Sequence, residues 1–257
     1  MNPTIGFIGG GRVTRIFLKA FKKAGLQHKI TVSDINTETL SKLKDEFNVN
    51  ITSDNKIAYK NDIVFLALHK KDILKQAENL KENSNKNLIV ISLAPGITVK
   101  TLEELLGLKK IIRMIPNAPA AIGKGYCPVY YPPETTQEDK KIIEKLFSPL
   151  GLCPEVDENA LEAYSVITAM GPTYFWFQWI KLVEISMHLG IDEKQSFEAV
   201  KYMIQGAAEM LFSSEMNPTE VMDLIPVKPL LDKQGIIENI LSEKMELIYS
   251  KLKGDTR

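Results

Sequence analysis

Three consecutive glycines near the N-terminus limit this chain more than any other feature. Residues 4–8 (TIGFI) form a short apolar run, Gly9, Gly10 and Gly11 follow, and an amphipathic stretch covers residues 12–24. An apolar run that ends in glycine and restarts as a helix predicts a strand, a tight turn and a helix. Gly9 permits the turn, and Gly11 lets backbone approach a phosphate at the helix N-terminus, where unpaired N–H groups and the helix dipole favour anions. The spacing is that of a dinucleotide-binding turn, with Thr14 in place of the usual small third residue, which is expected to loosen the helix–sheet contact.

A glycine pattern alone is weak evidence, but a second element supports it. Residues 29–33 (KITVS) read as another strand, and Asp34 follows about twenty residues after the glycines, placed to accept a hydrogen bond from a ribose 2′-hydroxyl. A carboxylate there repels a 2′-phosphate, and Asp34-Ile35-Asn36 lacks a clamping arginine, so NAD is favoured over NADP.

Apolar runs at 63–68, 88–92 and Ile111–Met114 are continuous rather than alternating, as in strands covered on both faces. Helical patterns at 38–47, 73–81 and Val99–Leu106 separate them. Such alternation predicts a doubly wound parallel sheet. After about Val156 no strand is expected, and helices are predicted at 159–167, 172–189, 192–213, 218–224 and 235–251, with Asp192 and Asn217 as N-caps. The chain therefore divides into a domain of residues 1–157 and a helical domain of 158–257. The helix at 172–189 carries apolar residues on nearly every face, so it is expected to be buried nearly all round, partly by a second copy of the chain.

Composition narrows the functions. Thirty-two basic and thirty-two acidic residues give no net charge, which argues against bulk-charge binding to nucleic acid or to an anionic membrane. No window is apolar for the ~18 residues that a membrane span needs, and the N-terminus lacks a signal-peptide pattern, so a cytoplasmic setting is expected. Cys127 and Cys153 lack CxxC spacing, and His28, His69 and His188 are scattered; neither a disulfide framework nor a metal site is expected.

Several phrases together resemble the pyrroline-5-carboxylate reductase family: IGFIGGGRV at 5–13, SDN and DIVFLAL at 53–55 and 62–68, ISLAPGIT at 91–98, IRMIPNAPAAIGKG at 112–125, and LFSPLG, EVDE and MGPTYFW further on. The resemblance implies a Rossmann-like doubly wound parallel sheet, a C-terminal all-helical dimerisation domain and a homodimer formed through it. It implies NAD or NADP as cofactor, held at the pyrophosphate by Gly9, Gly11, Arg12 and Val13 and on the adenosine side by Asn55. Ala67, Leu68 and His69 would line the dinucleotide path, with Ala94 and Asn117 near the nicotinamide. The small-molecule substrate would be a cyclic imine or a related imine or keto compound, met by Thr168, Met170 and Gly171.

The chain departs from the family at the substrate end. A SGSGPAY-like turn is replaced by Thr168-Ala169-Met170-Gly171-Pro172-Thr173-Tyr174, and a SPGGTT-like loop by Ile225-Pro226-Val227-Lys228-Pro229-Leu230. Lys228 is the candidate there for binding a substrate carboxylate or donating a proton. A protonated iminium already attracts hydride, so no dedicated strong acid is required, in keeping with the lack of a Ser-His-Asp or paired-carboxylate pattern. Two alternatives stand beside this reading: a β-hydroxyacid-dehydrogenase-like enzyme using Lys181 on the long helix, and a non-catalytic dinucleotide-binding regulator.

Overall fold

The structure is a computed structural model and describes residues 2–82 and 87–254. Its first compact unit comprises residues 1–170 together with 248–257, and the second residues 171–247.

Among the described residues of the first unit, nine strands and seven helices follow one another: β1 (Ile5–Ile8), α1 (Arg12–Lys23), β2 (Ile30–Ser33), α2 (Thr37–Phe47), β3 (Asn50–Thr52), α3 (Asn55–Ala58), β4 (Ile63–Leu66), α4 (Lys70–Glu82), β5 (Ile89–Ser92), α5 (Val99–Leu106), β6 (Ile111–Met114), β7 (Gly125–Tyr126), β8 (Val129–Tyr130), α6 (Gln137–Phe147), β9 (Gly151–Leu152) and α7 (Leu161–Tyr164). Seven strands form one sheet in the order β3-β2-β1-β4-β5-β6-β8, parallel except for the β6–β8 edge pair. Ile8 lies opposite both Ser33 and Leu66, so β1, β2 and β4 end level and the loops after them converge. The order reverses direction between β1 and β4, where open α/β sheets bind ligands.

Both faces of the sheet are covered, which explains the unbroken apolar runs. On one face Phe7 stacks on Phe65 at 4.5 Å between ring centres, and Phe17 of α1 packs on Phe65 at 4.9 Å. On the other, Val64, Leu66 and Val90 meet Ile73, Leu80, Leu102 and Leu106 of α4 and α5.

Some elements carried too weak a pattern to be read. β3 has one apolar residue in three, and β7, β8 and β9 have two residues each. α6 did carry a start signal: Thr136 accepts from the Asp139 N–H, and Ile143, Leu146 and Phe147 are buried. The helix expected at 159–167 is instead a 3-10 turn (Glu158–Ala160), the single turn α7 and a π-helical segment (Ser165–Ala169). Residues 158–170 pack with the first unit, so the compact units divide after the break in hydrophobic pattern at Val156 rather than at it.

The second unit holds α8 (Gly171–His188), α9 (Glu193–Ser213), α10 (Pro218–Asp223) and most of α11 (Gln234–Lys253), whose end from Ile248 belongs to the first unit. The expected caps are present: Asp192 accepts from Gln195 N–H at 3.0 Å, and Asn217 forms a capping box with Glu220. Within one chain α8 is not buried all round: Val183 is its buried residue, while Trp176, Phe177 and Ile180 are 45, 68 and 51% exposed. Hydrophobicity on every face specifies burial without saying which chain provides it. Among the described residues, no helix is long and apolar enough to cross a membrane.

Phe65 is fully buried between two other rings. Phe65→Ala is expected to cost about 3–5 kcal/mol of unfolding free energy, measured by urea denaturation.

Candidate functional site

β1 hands the chain directly to the glycine turn. Gly9 donates its N–H to Ser33 O at 2.8 Å and adopts a left-handed φ of 100°; a Cβ there would lie 2.5 Å from the carbonyl oxygen of Ala67. Only glycine fits. Gly11 is the opposite case: a Cβ there would meet nothing within 4 Å, although Gly11 is the N-cap of α1 and offers no side-chain cap. No acidic residue occupies the first turn of α1. The open space therefore borders helix N–H groups that lack an internal partner, the arrangement an anion fills.

Thr14 does not loosen the helix–sheet contact as expected. It is fully buried, and its hydroxyl donates to Gly9 O at 2.5 Å, so a hydrogen bond replaces the close packing of a smaller residue. Asp34 lies beside the turn, with Oδ2 accepting from Gly10 N–H at 2.6 Å and Oδ1 from Asn36 N–H at 2.8 Å. Asp34 thus holds the turn itself, a role that spacing could not reveal. Next to it Ile35 is 93% exposed, an apolar shelf at the end of β2 that the sequence reading passed over. Arg12 is exposed and Val13 half-buried at the start of α1.

The other expected residues lie along the same edge of the sheet. Asn55 opens α3 and accepts from the Ser33 hydroxyl at 2.7 Å. Ala67, Leu68 and His69 form the loop after β4, where Ala67 N–H donates to Ile8 O at 2.9 Å; Ala94 is buried in the loop after β5. Asn117 is buried beyond β6. It accepts from Tyr126 N–H at 3.2 Å and donates to Thr168 O at 3.3 Å, so it joins the loop after β6 to the π-helical segment and brings two predicted site residues together. Tyr126 packs against Tyr164 with ring centres 6.0 Å apart. Cys127 and Cys153, unrelated in spacing, stand on adjoining strand ends: Cys127 N–H donates to Leu152 O at 2.8 Å, and both thiols are free.

An ion cluster with no signature in the sequence lies behind this edge. Arg113, 1% exposed on β6, donates to Glu158 at 3.0 Å and to Glu162 at 2.6 Å. Glu158 also accepts from Val99 N–H at 2.6 Å, and Glu162 from Gly96 N–H at 3.1 Å, so the two carboxylates brace the loop between β5 and α5. Burial works against the charge of Glu162, but the Arg113 hydrogen bond and charge and the Gly96 N–H outweigh it and hold its carboxyl below the usual range.

Of the remaining candidates, Thr168 donates its hydroxyl to Tyr164 O at 2.8 Å, and Met170 N–H donates to Ser165 O at 3.1 Å. Gly171 opens α8, and Lys228 lies exposed in the second unit beside a cleft of about 880 Å³ with Ile225, Val227 and Leu230. Lys181 donates to Glu184 at 2.8 Å on the exposed side of α8.

A carboxyl with a lowered folded-state pKa contributes stability above its unfolded pKa and loses it as pH falls through the folded value. Glu162 is therefore expected to destabilise the protein progressively below about pH 5. Glu162→Gln should lower the unfolding midpoint at pH 7 and flatten that acid limb in denaturation curves recorded from pH 7 to 3.

Comparison with known proteins agrees with this geometry. Residues 4–96 match the family model described as NADP oxidoreductase, coenzyme F420-dependent, and residues 158–229 match the model for pyrroline-5-carboxylate reductase dimerisation. Human pyrroline-5-carboxylate reductase 2 is 29% identical over 229 residues, covering 86% of this chain and 71% of that protein. The pyrroline-5-carboxylate reductase of Methanosarcina acetivorans is 26% identical over 239 residues, covering 91% and 88%. Among solved structures, Plasmodium falciparum pyrroline carboxylate reductase with NADP bound superposes with a TM-score of 0.85 at 22% identity, covering 99% of this chain and 98% of that one. The Coxiella burnetii pyrroline-5-carboxylate reductase superposes with a TM-score of 0.76 at 24% identity, over the full length of both chains. With a glycine turn, sheet order and helical segment that all fit, the chain is similar to the pyrroline-5-carboxylate reductases over most of its length.

Proposed function

We propose that this protein is an NAD(P)H-dependent reductase of a C=N bond, acting on 1-pyrroline-5-carboxylate or a related cyclic imine. The observation that carries the reading is the open cradle over Gly11, where unpaired helix N–H groups border empty space at the point where the strand order reverses. The relatives' names supply the substrate class: the human and archaeal proteins are pyrroline-5-carboxylate reductases.

When bound, the nicotinamide supplies the hydride. The residues around it bind and orient. Gly9, Gly11, Arg12 and Val13 would receive the pyrophosphate, Asp34 and Asn55 the adenosine side, and Ala67, Leu68, His69, Ala94 and Asn117 the rest of the dinucleotide. Asp34 holds Gly10 in place and sets a negative charge where a 2′-phosphate would come, which supports NAD over NADP, even though one family structure binds NADP. Thr168, Met170, Gly171 and Lys228 stand at the stretches by which the family meets its substrate, Lys228 as the group for a substrate carboxylate. Lys181, the residue of the alternative dehydrogenase reading, is exposed and paired with Glu184 at 2.8 Å.

We further infer a homodimer formed through the C-terminal helices from α8 onward. It rests on the exposed aromatic side chains of α8 and the match to a dimerisation model. A cytoplasmic, reducing setting suits two neighbouring cysteines that remain free.

Gly11→Val is expected to lower the unfolding midpoint only slightly, because a Cβ there meets no protein atom and what is lost is the N-cap preference for glycine, yet to weaken NADH binding at least about thirtyfold, roughly 2 kcal/mol, by fluorescence titration. The wild-type protein should oxidise NADH with 1-pyrroline-5-carboxylate or another cyclic imine. Cofactor binding without turnover on any of them would leave only a binding protein. Light scattering should give twice the 28.9 kDa chain mass, and Phe177→Glu should shift the protein to the monomer.

A further inference from the structure

A cleft of about 450 Å³ in the first unit has lysines on its walls that the reading above does not use. His69, Lys70, Lys71 and Gly96 line it from the loops after β4 and β5, and Lys251 and Leu252 of the last turn of α11 form another wall. Lys70, Lys71 and Lys251 come from segments far apart in sequence, and among the described residues none of the three is paired with a carboxylate. In a chain with equal numbers of basic and acidic residues, three unpaired lysines around one cleft mark a place for an anion.

The wall carrying Lys251 is firmly seated. Gly96 has a left-handed φ of 73°, and a Cβ there would lie 2.9 Å from Leu252 O, so the loop after β5 receives the α11 backbone at a position only glycine allows. Lys253 donates to Asn159 O at 2.9 Å and lies 4.0 Å from Glu162, the carboxylate that also accepts from Gly96 N–H. Glu162 therefore anchors the loop and the tail together. The same two loops carry His69 and Ala94, two of the residues read as lining the dinucleotide path.

We propose that residues 248–253 form one wall of the cofactor site and that Lys251, with Lys70 and Lys71, holds a phosphate of the dinucleotide. The proposal rests on the reading of the first unit as a dinucleotide-binding domain. It adds a contact from the far end of the chain, so cofactor binding and the seating of the C-terminal helix end become linked.

The test is titration of the full-length protein with NADH and NADPH at several salt concentrations. Lys251→Glu is expected to weaken both cofactors about five- to tenfold and to reduce the salt dependence of binding, with the midpoint of cofactor-free unfolding unchanged. Lys60→Glu makes the same charge change on the turn before β4, outside the cleft, and should bind like the wild type. Lys251→Met, neutral and similar in length, should lose about two- to threefold, which keeps the test valid if charge reversal unseats the tail. Gly96→Ala, which pushes on the Leu252 carbonyl, should reproduce the loss with Lys251 still present. Unchanged cofactor affinity in Lys251→Glu overturns the proposal and leaves the dinucleotide reading standing. A raised KM for the imine carboxylate with unchanged cofactor affinity also overturns it, by assigning the cleft to the substrate. A wild-type protein that binds neither NADH nor NADPH removes both.

Discussion

A buried guanidinium organises the part of the molecule that the glycine turn does not. Arg113 is the third residue of β6, among isoleucine and methionine neighbours, and a charge in such a place costs several kcal/mol unless it is paired and hydrogen-bonded. Its partners, Glu158 and Glu162, arrive from the chain beyond the sheet. That requirement accounts for residues 158–170 packing with the sheet unit rather than with the helices that follow them. The same carboxylates accept backbone N–H groups from Gly96 and Val99, so the position of the loop after β5 depends on charges 66 and 59 residues away in sequence.

The glycine turn works by a different constraint, close approach. Gly9 brings β1 against the Ala67 carbonyl, Thr14 ties the helix back to Gly9, and Asp34 holds Gly10. These contacts leave Gly11 facing open space. With no net charge on the chain, attraction for an anionic cofactor has to come from such local devices, the helix terminus at Gly11 first among them.

Much of the sheet was legible because its strands are covered on both faces and must read as continuous apolar runs; Ile63–Leu66 and Ile89–Ser92 are of this kind, as is Ile111–Met114 apart from its arginine.

 Ser92 closes the second of those runs with its hydroxyl buried, a residue that periodicity alone does not distinguish from its apolar neighbours. The elements that escaped were short or irregular. β7 and β9 are two residues each and owe their pairing to Gly125 and Gly151 meeting backbone to backbone, and the π-helical turn at Ser165–Ala169 carries no periodic signature of its own. Within the site, Gly9, Gly11 and Asp34 could be named because the chemistry of a phosphate turn prescribes residue types at set distances. Arg113, Glu158 and Glu162 could not, because an ion cluster obeys no spacing along the chain.

The sequence by itself determined the strand–turn–helix opening, the alternation that makes a parallel sheet, and the change to helices after Val156, since each is a local pattern of apolar residues, glycines and caps. Only the tertiary structure decided which distant groups share a place: Asp34 on Gly10, Asn117 on Thr168, Cys127 beside Cys153, and the last turn of α11 on Gly96. The physical reason is that backbone propensity and periodicity act over a few residues, whereas hydrogen bonds and buried charges are satisfied by whatever the completed fold brings within about 3 Å.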